Sequence, residues 1–412
     1  MIRCRPRWSR EITSTQWHTL FAAQAGWMLD AMDVLLYAFA LTTIQKEFQI
    51  DSATAGLLAS VTLLASAIGG IFFGVVADRL GRAKTMAITI LIYSFCSAGT
   101  ATAQNLAQLI FWRSMLGLGM GGEWTSGAVL VSETWPAEHR GKAIGIMQSG
   151  WALGYILAAL VTAIVLPRWG WRALFLVGVL PALLTVWIRR RVPEPELWLA
   201  RQAPAARERN AFSEIFKPPL LRWTLIATML TTAVLFAYWG LFTWLPGFLS
   251  KPMAQGGAGM SIVKTSGWII PVQLGAFCGY LSFGFIADRL GRKPTFIFYL
   301  LIAAILVPIY GHVARNDFTL MLLGPFLGFF GSGYFSLFGA MLAELFPTSS
   351  RATGQGFAYN AGRAVSALSP FFIGGLADVY GIGSALALTS AFFLAGAFMI
   401  SFLPETRGSA LK

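Results

Sequence analysis

Gly74-Val-Val-Ala-Asp78-Arg79-Leu-Gly81-Arg82 returns later in the chain as Gly284-Phe-Ile-Ala-Asp288-Arg289-Leu-Gly291-Arg292. Each copy closes a long apolar run. Residues 53–77 and 265–287 contain no Asp, Glu, Lys or Arg. Two more blocks repeat in the same order. Glu133-Thr-Trp-Pro136-Ala-Glu-His-Arg140 returns as Glu344-Leu-Phe-Pro347-Thr-Ser-Ser-Arg351, and Gly117–Trp124 returns as Gly328–Phe335. Three matched blocks in register predict two related halves, each repeating the same elements in the same orientation.

Working outward, the runs 85–112, 143–167, 223–250, 318–343 and 379–404 are also free of charge. A helix needs roughly 20 residues to cross the hydrocarbon core. A backbone in lipid must satisfy its own hydrogen bonds, and barrel strands are about half this length. The reading is an all-α membrane protein with twelve transmembrane helices in two pseudo-symmetric six-helix bundles. The expected spans are about 18–44, 53–78, 84–103, 107–134, 142–166 and 171–189, then 223–247, 265–288, 295–313, 318–345, 353–377 and 381–403. Residues 190–222, polar and rich in Pro, Ala and Arg, divide the chain into 1–189 and 223–412 as a connector. Composition agrees: 56% of the residues are hydrophobic and only 12% charged.

The net charge of +13 raises the question of nucleic acid. Its distribution answers it. With both termini in the cytoplasm, the arginines near the N-terminus, those after Asp78 and Asp288, and the arginine-rich connector all fall on the inner side. Lys46, Arg168, Arg172, Lys251, Lys264 and Arg315 fall outside. This is the positive-inside asymmetry of a multi-pass protein of a cell (inner) membrane, with the lipid bilayer as its partner, no nucleic acid, and a monomer expected. Cys4, Cys96 and Cys278 are scattered, as are His18, His139 and His312. No metal spacing, phosphate-binding loop or nucleophile–base pair stands out. The expectation is no metal, no cofactor and no enzyme activity.

The doubled Gly-x-x-x-Asp-Arg-x-Gly-Arg resembles the signature of the major facilitator superfamily, over nearly the whole chain. Arg113-Ser-Met-Leu-Gly117-Leu-Gly119-Met-Gly121 is similar to that superfamily's Arg–glycine motif, associated with proton coupling. Within it, Trp27-Met-Leu-Asp30-Ala-Met-Asp33, Gly121-Gly-Glu123-Trp124 and Gly170-Trp-Arg172-Ala-Leu-Phe175 resemble the sialate:proton symporters, which include lactate permeases. The two-aspartate motif also occurs in aromatic-acid:proton symporters. The sialate branch carries extra central segments for which this chain has no room, which favours a smaller acid. The resemblance implies a gating latch of Asp78, Arg79, Arg82, Asp288, Arg289 and Arg292; arginines that only anchor topology are the simpler alternative, and Glu133, Arg140, Glu344 and Arg351 are expected in the same cytoplasmic networks.

Asp30 and Asp33, three apart, share one helix face near mid-membrane. Acids there are costly and are functional by default. Asp33, at the depth of Arg113, is the first choice for proton coupling; a static ion pair holding helices 1 and 4 is the plain alternative. Glu123 is a second proton candidate, a partner for a substrate hydroxyl, or a neutral group hydrogen-bonded to a neighbouring helix. Arg363 is the only basic residue within a span of the second half, with Tyr359 and Asn360 on its face. A planar fork matched to carboxylates, without an acid in its own half, points to an anionic substrate; pairing with backbone carbonyls or with a first-half acid is the alternative. Gln148, Trp151 and Tyr155 are possible lining residues. Together these imply a proton-coupled symporter of a small organic monocarboxylate such as lactate, working by alternating access. An aromatic-acid, nicotinate or sialate transporter is the alternative, and a solute-binding sensor without transport is the alternative of another class.

Overall fold

The computed structural model describes residues 12–196, 199, 211–313, 316–347 and 351–405. The described chain folds into helices: α1 Ser14–Phe48, α2 Ser52–Leu80, α3 Arg82–Ala101, α4 Leu106–Thr134, α5 Ala137–Val177, α6 Ala182–Arg191, α7 Leu220–Ser250, α8 Ile262–Leu290, α9 Arg292–Pro308, α10 Asp317–Ser332, α11 Phe335–Glu344, α12 Arg351–Ser366, α13 Ser369–Tyr380 and α14 Ile382–Ile400. They make twelve spans in two bundles of six.

Breaks in the spans have local causes. The helical run of α5 passes Pro167 and turns at Gly170, whose φ of 75° suits a residue without a Cβ. The sixth span is interrupted between Val177 and Ala182, where Pro181 has no N–H to give. The tenth breaks at Gly333-Tyr334 and the eleventh at Ala367-Leu368, just before Pro370. Helix starts follow side-chain chemistry: Thr13 and Gln16 form a reciprocal capping box, and Asp51, Asn105, Ser261 and Asn316 each accept an N–H of the first turn.

The surface is apolar where a soluble protein would be polar. Phe95, Leu183, Phe285, Phe318 and Val379 are each more than two-thirds exposed, while Asp30, Asp33 and Glu123 have no exposed surface. Such a distribution is stable only when lipid, not water, surrounds the helices. Seven helical segments among the described residues are individually long and apolar enough to cross a membrane, α1 and α7 among them. The glycines of α4 do the packing expected of them. A Cβ at Gly117 or Gly121 would strike the α2 carbonyls of Thr62 or Ser66, so their absence lets α2 and α4 pack backbone to backbone.

The Asp-Arg turns obey one geometry. Gly81 (φ 109°, ψ 155°) and Gly291 (φ 99°, ψ 152°) end α2 and α8, and their N–H groups bond Ala77 and Ala287. The next helix starts at once, its first amides capped by a distant carboxylate: Glu194 for α3 and Glu405 for α9.

Candidate functional site

A narrow cavity lies between the bundles at mid-depth, lined by Trp27, Gln148, Trp151, Leu235, Tyr238, Trp239, Tyr280, Phe335, Tyr359 and Arg363. Both halves supply walls, so it changes shape whenever they move relative to each other. The aromatic rings are held against one another. Trp124 stacks on Tyr359 across the halves at 4.8 Å and 14°, and Trp27 lies 4.7 Å from Trp151. Trp151 donates its indole N–H to the Tyr238 hydroxyl at 2.6 Å, and sets its edge to Trp239.

Arg363 is the only cation in this wall. It is 3% exposed, and no carboxylate among the described residues lies within ion-pair distance. Asp30 of the other half is within electrostatic reach, as are Glu123 and Asp33 of Asp30. A buried guanidinium without a contacting anion is costly. That cost falls when an anion enters the cavity.

Of the residues singled out in the sequence, Gln148, Trp151, Tyr359 and Arg363 come together in this wall. Tyr155 and Asn360 do not line the cavity. The Tyr155 hydroxyl donates to the Phe242 carbonyl at 2.8 Å, and Asn360 donates to Gly356 of its own helix at 3.0 Å. Both side chains are engaged before any solute could use them. Tyr238, Trp239, Tyr280 and Phe335 were not foreseen. They lie in uncharged runs where an aromatic that faces a cavity reads like one that faces lipid.

Asp30, Asp33 and Glu123 of the first half are buried near one another. Asp30 and Glu123 have no hydrogen-bond partner on either oxygen among the described residues. Glu123 reaches α1 at Gly26, where a Cβ would collide with its carboxyl. Asp33 accepts from the Ser97 hydroxyl, which also reaches the Phe175 carbonyl. Gly178, at the break in the sixth span, leaves the room that this pair occupies. The expected contact of Arg113 with Asp33 or Asp30 is not made. Arg113 lies over the Tyr37 ring at 4.7 Å, one α1 turn beyond Asp33, and attracts Asp33 only through space. The Tyr37 hydroxyl is itself fixed to the Ala55 carbonyl at 2.6 Å, which holds the ring as a platform for the cation.

At the Asp-Arg turns, Arg82 holds Glu133 through two bonds of 3.1 Å and the Ala77 carbonyl at 2.8 Å. Arg79 and Arg289 are exposed, and the Arg292 amide meets Glu405 at 3.0 Å. The side chains of Asp78, Asp288, Arg140, Glu344 and Arg351 lie outside the described residues. Glu133→Gln is expected to remove one charge of the Arg82 fork and to cost about 2–3 kcal/mol. A melting curve in detergent should fall by several degrees, with Arg82→Gln adding little on top of it. A full additive fall would mean that the two residues are not coupled.

Comparison with known proteins follows the same architecture. The family model described as Major Facilitator Superfamily matches residues 21–282 and 263–411. A "Probable 4-methylmuconolactone transporter" of Cupriavidus pinatubonensis is 34% identical, covering 98% of this chain and 94% of the relative. The niacin transporter NiaP of Acinetobacter baylyi is 31% identical, covering 95% of each. The solved proton:xylose symporter XylE superposes with a TM-score of 0.74 at 20% identity, covering 97% of this chain and 98% of that one, which is a likeness of fold. With two related bundles, a cavity between them and matches along the whole chain, this protein belongs to the Major Facilitator Superfamily and is a membrane transporter, not an enzyme.

Proposed function

We propose that the protein is a proton-coupled symporter of a small organic carboxylate carried on a planar, unsaturated or aromatic framework. The reading rests on one observation: a buried Arg363 with no contacting carboxylate, in a cavity walled by aromatic rings. The guanidinium suits the carboxylate, and flat π surfaces suit a flat body. Lactate, the first choice from sequence, offers too little surface for such walls; the aromatic-acid and nicotinate alternative fits them better. A polyhydroxylated acid such as sialate would need many polar partners that these rings do not provide. The names of the muconolactone and niacin transporters point the same way.

Proton coupling follows from Asp30. With Arg363 empty, its charge balances an ionised Asp30. A substrate carboxylate on Arg363 cancels that charge, and a second anion beside it becomes costly. A proton on Asp30 removes the cost, so substrate and proton load together by linkage. Glu123 and Asp33 would pass the proton on. This arrangement moves the first choice for the proton site from Asp33, which is occupied with Ser97, to Asp30. The divisions 1–189, 190–222 and 223–412 then act as two rocking bodies and their connector, with the Asp-Arg turns and their partners as a latch on the inner side. In proteoliposomes, an acidic exterior should drive accumulation of nicotinate or benzoate well above lactate. Equal uptake of all three, or no response to the gradient, would refute the reading.

Gln148 sharpens it. Its Oε1 accepts the Trp124 indole N–H at 3.1 Å. The indole can only donate, so the amide N–H groups of Gln148 are left for the cavity. Gln148→Leu should therefore lower affinity for acids bearing a second acceptor, such as a ring nitrogen, by about tenfold relative to benzoate. Competition by nicotinate and benzoate against one labelled substrate would measure it.

A further inference from the structure

The Gly-x-x-Ala-Asp-x-x-Gly pattern of both Asp-Arg turns occurs a third time, as Gly374-Gly-Leu-Ala377-Asp378-Val-Tyr-Gly381. Its backbone is the same. Gly381 has φ 79° and ψ 153°, and its N–H bonds Ala377, as Gly81 bonds Ala77 and Gly291 bonds Ala287. Two things differ. The arginines are gone, replaced by Val379 and Ile382. And α13 runs opposite to α2 and α8 along the chain's alternation of spans, so this turn lies at the other face of the membrane. Charge asymmetry places that face outside, where the loss of arginine is expected.

In this copy the acid can be seen at work. One oxygen of Asp378 accepts the N–H of Ser52 at 2.9 Å and of Ala53 at 3.1 Å, the first amides of α2 in the opposite half. The α2 cap Asp51 takes the amide of Thr54 at 2.8 Å. The first turn of α2 is thus satisfied partly by its own cap and partly by the other bundle, with the helix dipole adding to the attraction for a carboxylate. Lys251 of the second half donates to the Ser52 hydroxyl at 2.7 Å, beside the same contact. The Phe371 N–H donates to Ser60 at 3.2 Å, about two turns further in. Two glycines allow this approach: a Cβ at Gly374 would collide with the Ser52 carbonyl, and one at Gly56 with that of Pro370.

We infer that Asp378 is a positioning residue of the transport cycle, latching the outer entrance shut by capping the first turn of α2 across the two halves. The arginines are dispensable for this; the Gly-Ala-Asp-Gly frame aims the carboxylate. At the corresponding turn of the first half the glycine remains as Gly170, but Pro167 stands where the acid would be. The outer latch is therefore one-sided, with Asp378 as its carboxylate. When the halves part on this face, both amides and the carboxylate pass to water together.

The test needs no substrate, so its failure is separate from failure of the carboxylate reading. Thr243 lines a small crevice between the halves, with Tyr37, Thr62 and Trp239, further inside than this contact. In a background lacking the native cysteines, Thr243→Cys would be labelled by a membrane-impermeant maleimide added from outside. Labelling through rare opening reports the open fraction. Asp378→Ala should speed labelling by roughly tenfold or more, for the loss of two charge-assisted hydrogen bonds. Asp378→Asn, which keeps an acceptor oxygen without the charge, should fall between. Gly374→Ala retains the acid but blocks the approach, and should speed labelling as well; it decides the matter if Asp378→Ala does not fold. Labelling at the parental rate in folded Asp378→Ala or in Gly374→Ala would overturn the proposal.

Discussion

Arg363→Gln is expected to abolish carboxylate uptake while leaving the empty protein as stable as before, or more so. The two halves of this result come from the same fact. Arg363 is buried with no contacting acid among the described residues, so in the unloaded protein its charge is a burden that Asp30 offsets only from a distance, and Asp30 can take up a proton once Arg363 is replaced. Replacing it by a neutral side chain of similar length removes that burden. In the loaded protein the charge is what holds the substrate. Truncating one member of a buried, hydrogen-bonded charge pair costs about 2–5 kcal/mol, which is a loss in affinity of at least roughly thirtyfold. Arg363→Lys should recover part of the binding, since it restores the charge but not the planar fork. The measurement is a melting curve with and without nicotinate or benzoate. The parent should be stabilised by ligand as mass action requires, and Arg363→Gln should melt no lower than the ligand-free parent and not respond. A marked fall in its melting temperature would mean that Arg363 is structural, held by Asp30 in place of a substrate.

Asp30→Asn is expected to separate accumulation from exchange. The amide cannot take up and release the proton, so a pH gradient should no longer drive uptake above equilibrium. The parent should gain up to about tenfold accumulation per pH unit for each coupled proton. Counterflow, in which labelled substrate exchanges with unlabelled, needs only binding and the conformational change and should persist. The neutral amide also leaves Arg363 without its distant counter-charge, so the substrate should bind Asp30→Asn at least as tightly as the parent, with weak dependence on pH. Asp33→Asn serves as the comparison. Asp33 is hydrogen-bonded by Ser97 and neighbours Gly178 at the broken sixth span. Its replacement should slow transport without erasing the response to the gradient. If the two variants behave in the reverse manner, the proton site is Asp33.

The two bundles could be read from the chain because lipid imposes one simple rule on the spans: long, apolar and poor in charge. Duplication then wrote the Asp-Arg turn twice, close enough in spelling to be matched by eye. The third turn, at Gly374–Gly381, is harder to read because it lacks the arginines and keeps only the Gly-Ala-Asp-Gly frame. The breaks in the spans were harder to foresee. Pro181 and Pro370 mark two of them, but prolines also sit inside unbroken helices, as Pro246 and Pro271 do.

Sequence alone determined that this protein is a helical membrane transporter of two related halves, and that Asp30, Asp33, Glu123, Arg113 and Arg363 are ionisable residues within its spans. A charge in lipid stands out because it is expensive wherever it points. Which of them meet was decided only by tertiary structure. Helix rotation sends Arg113 to the Tyr37 ring instead of Asp33, puts Asp30 within reach of Arg363 from the other bundle, and turns Tyr155 and Asn360 away from the cavity. Contacts between helices depend on the angle at which each span presents its faces. That angle is set by packing glycines and crossing geometry spread along the whole chain, and no local stretch of sequence carries it.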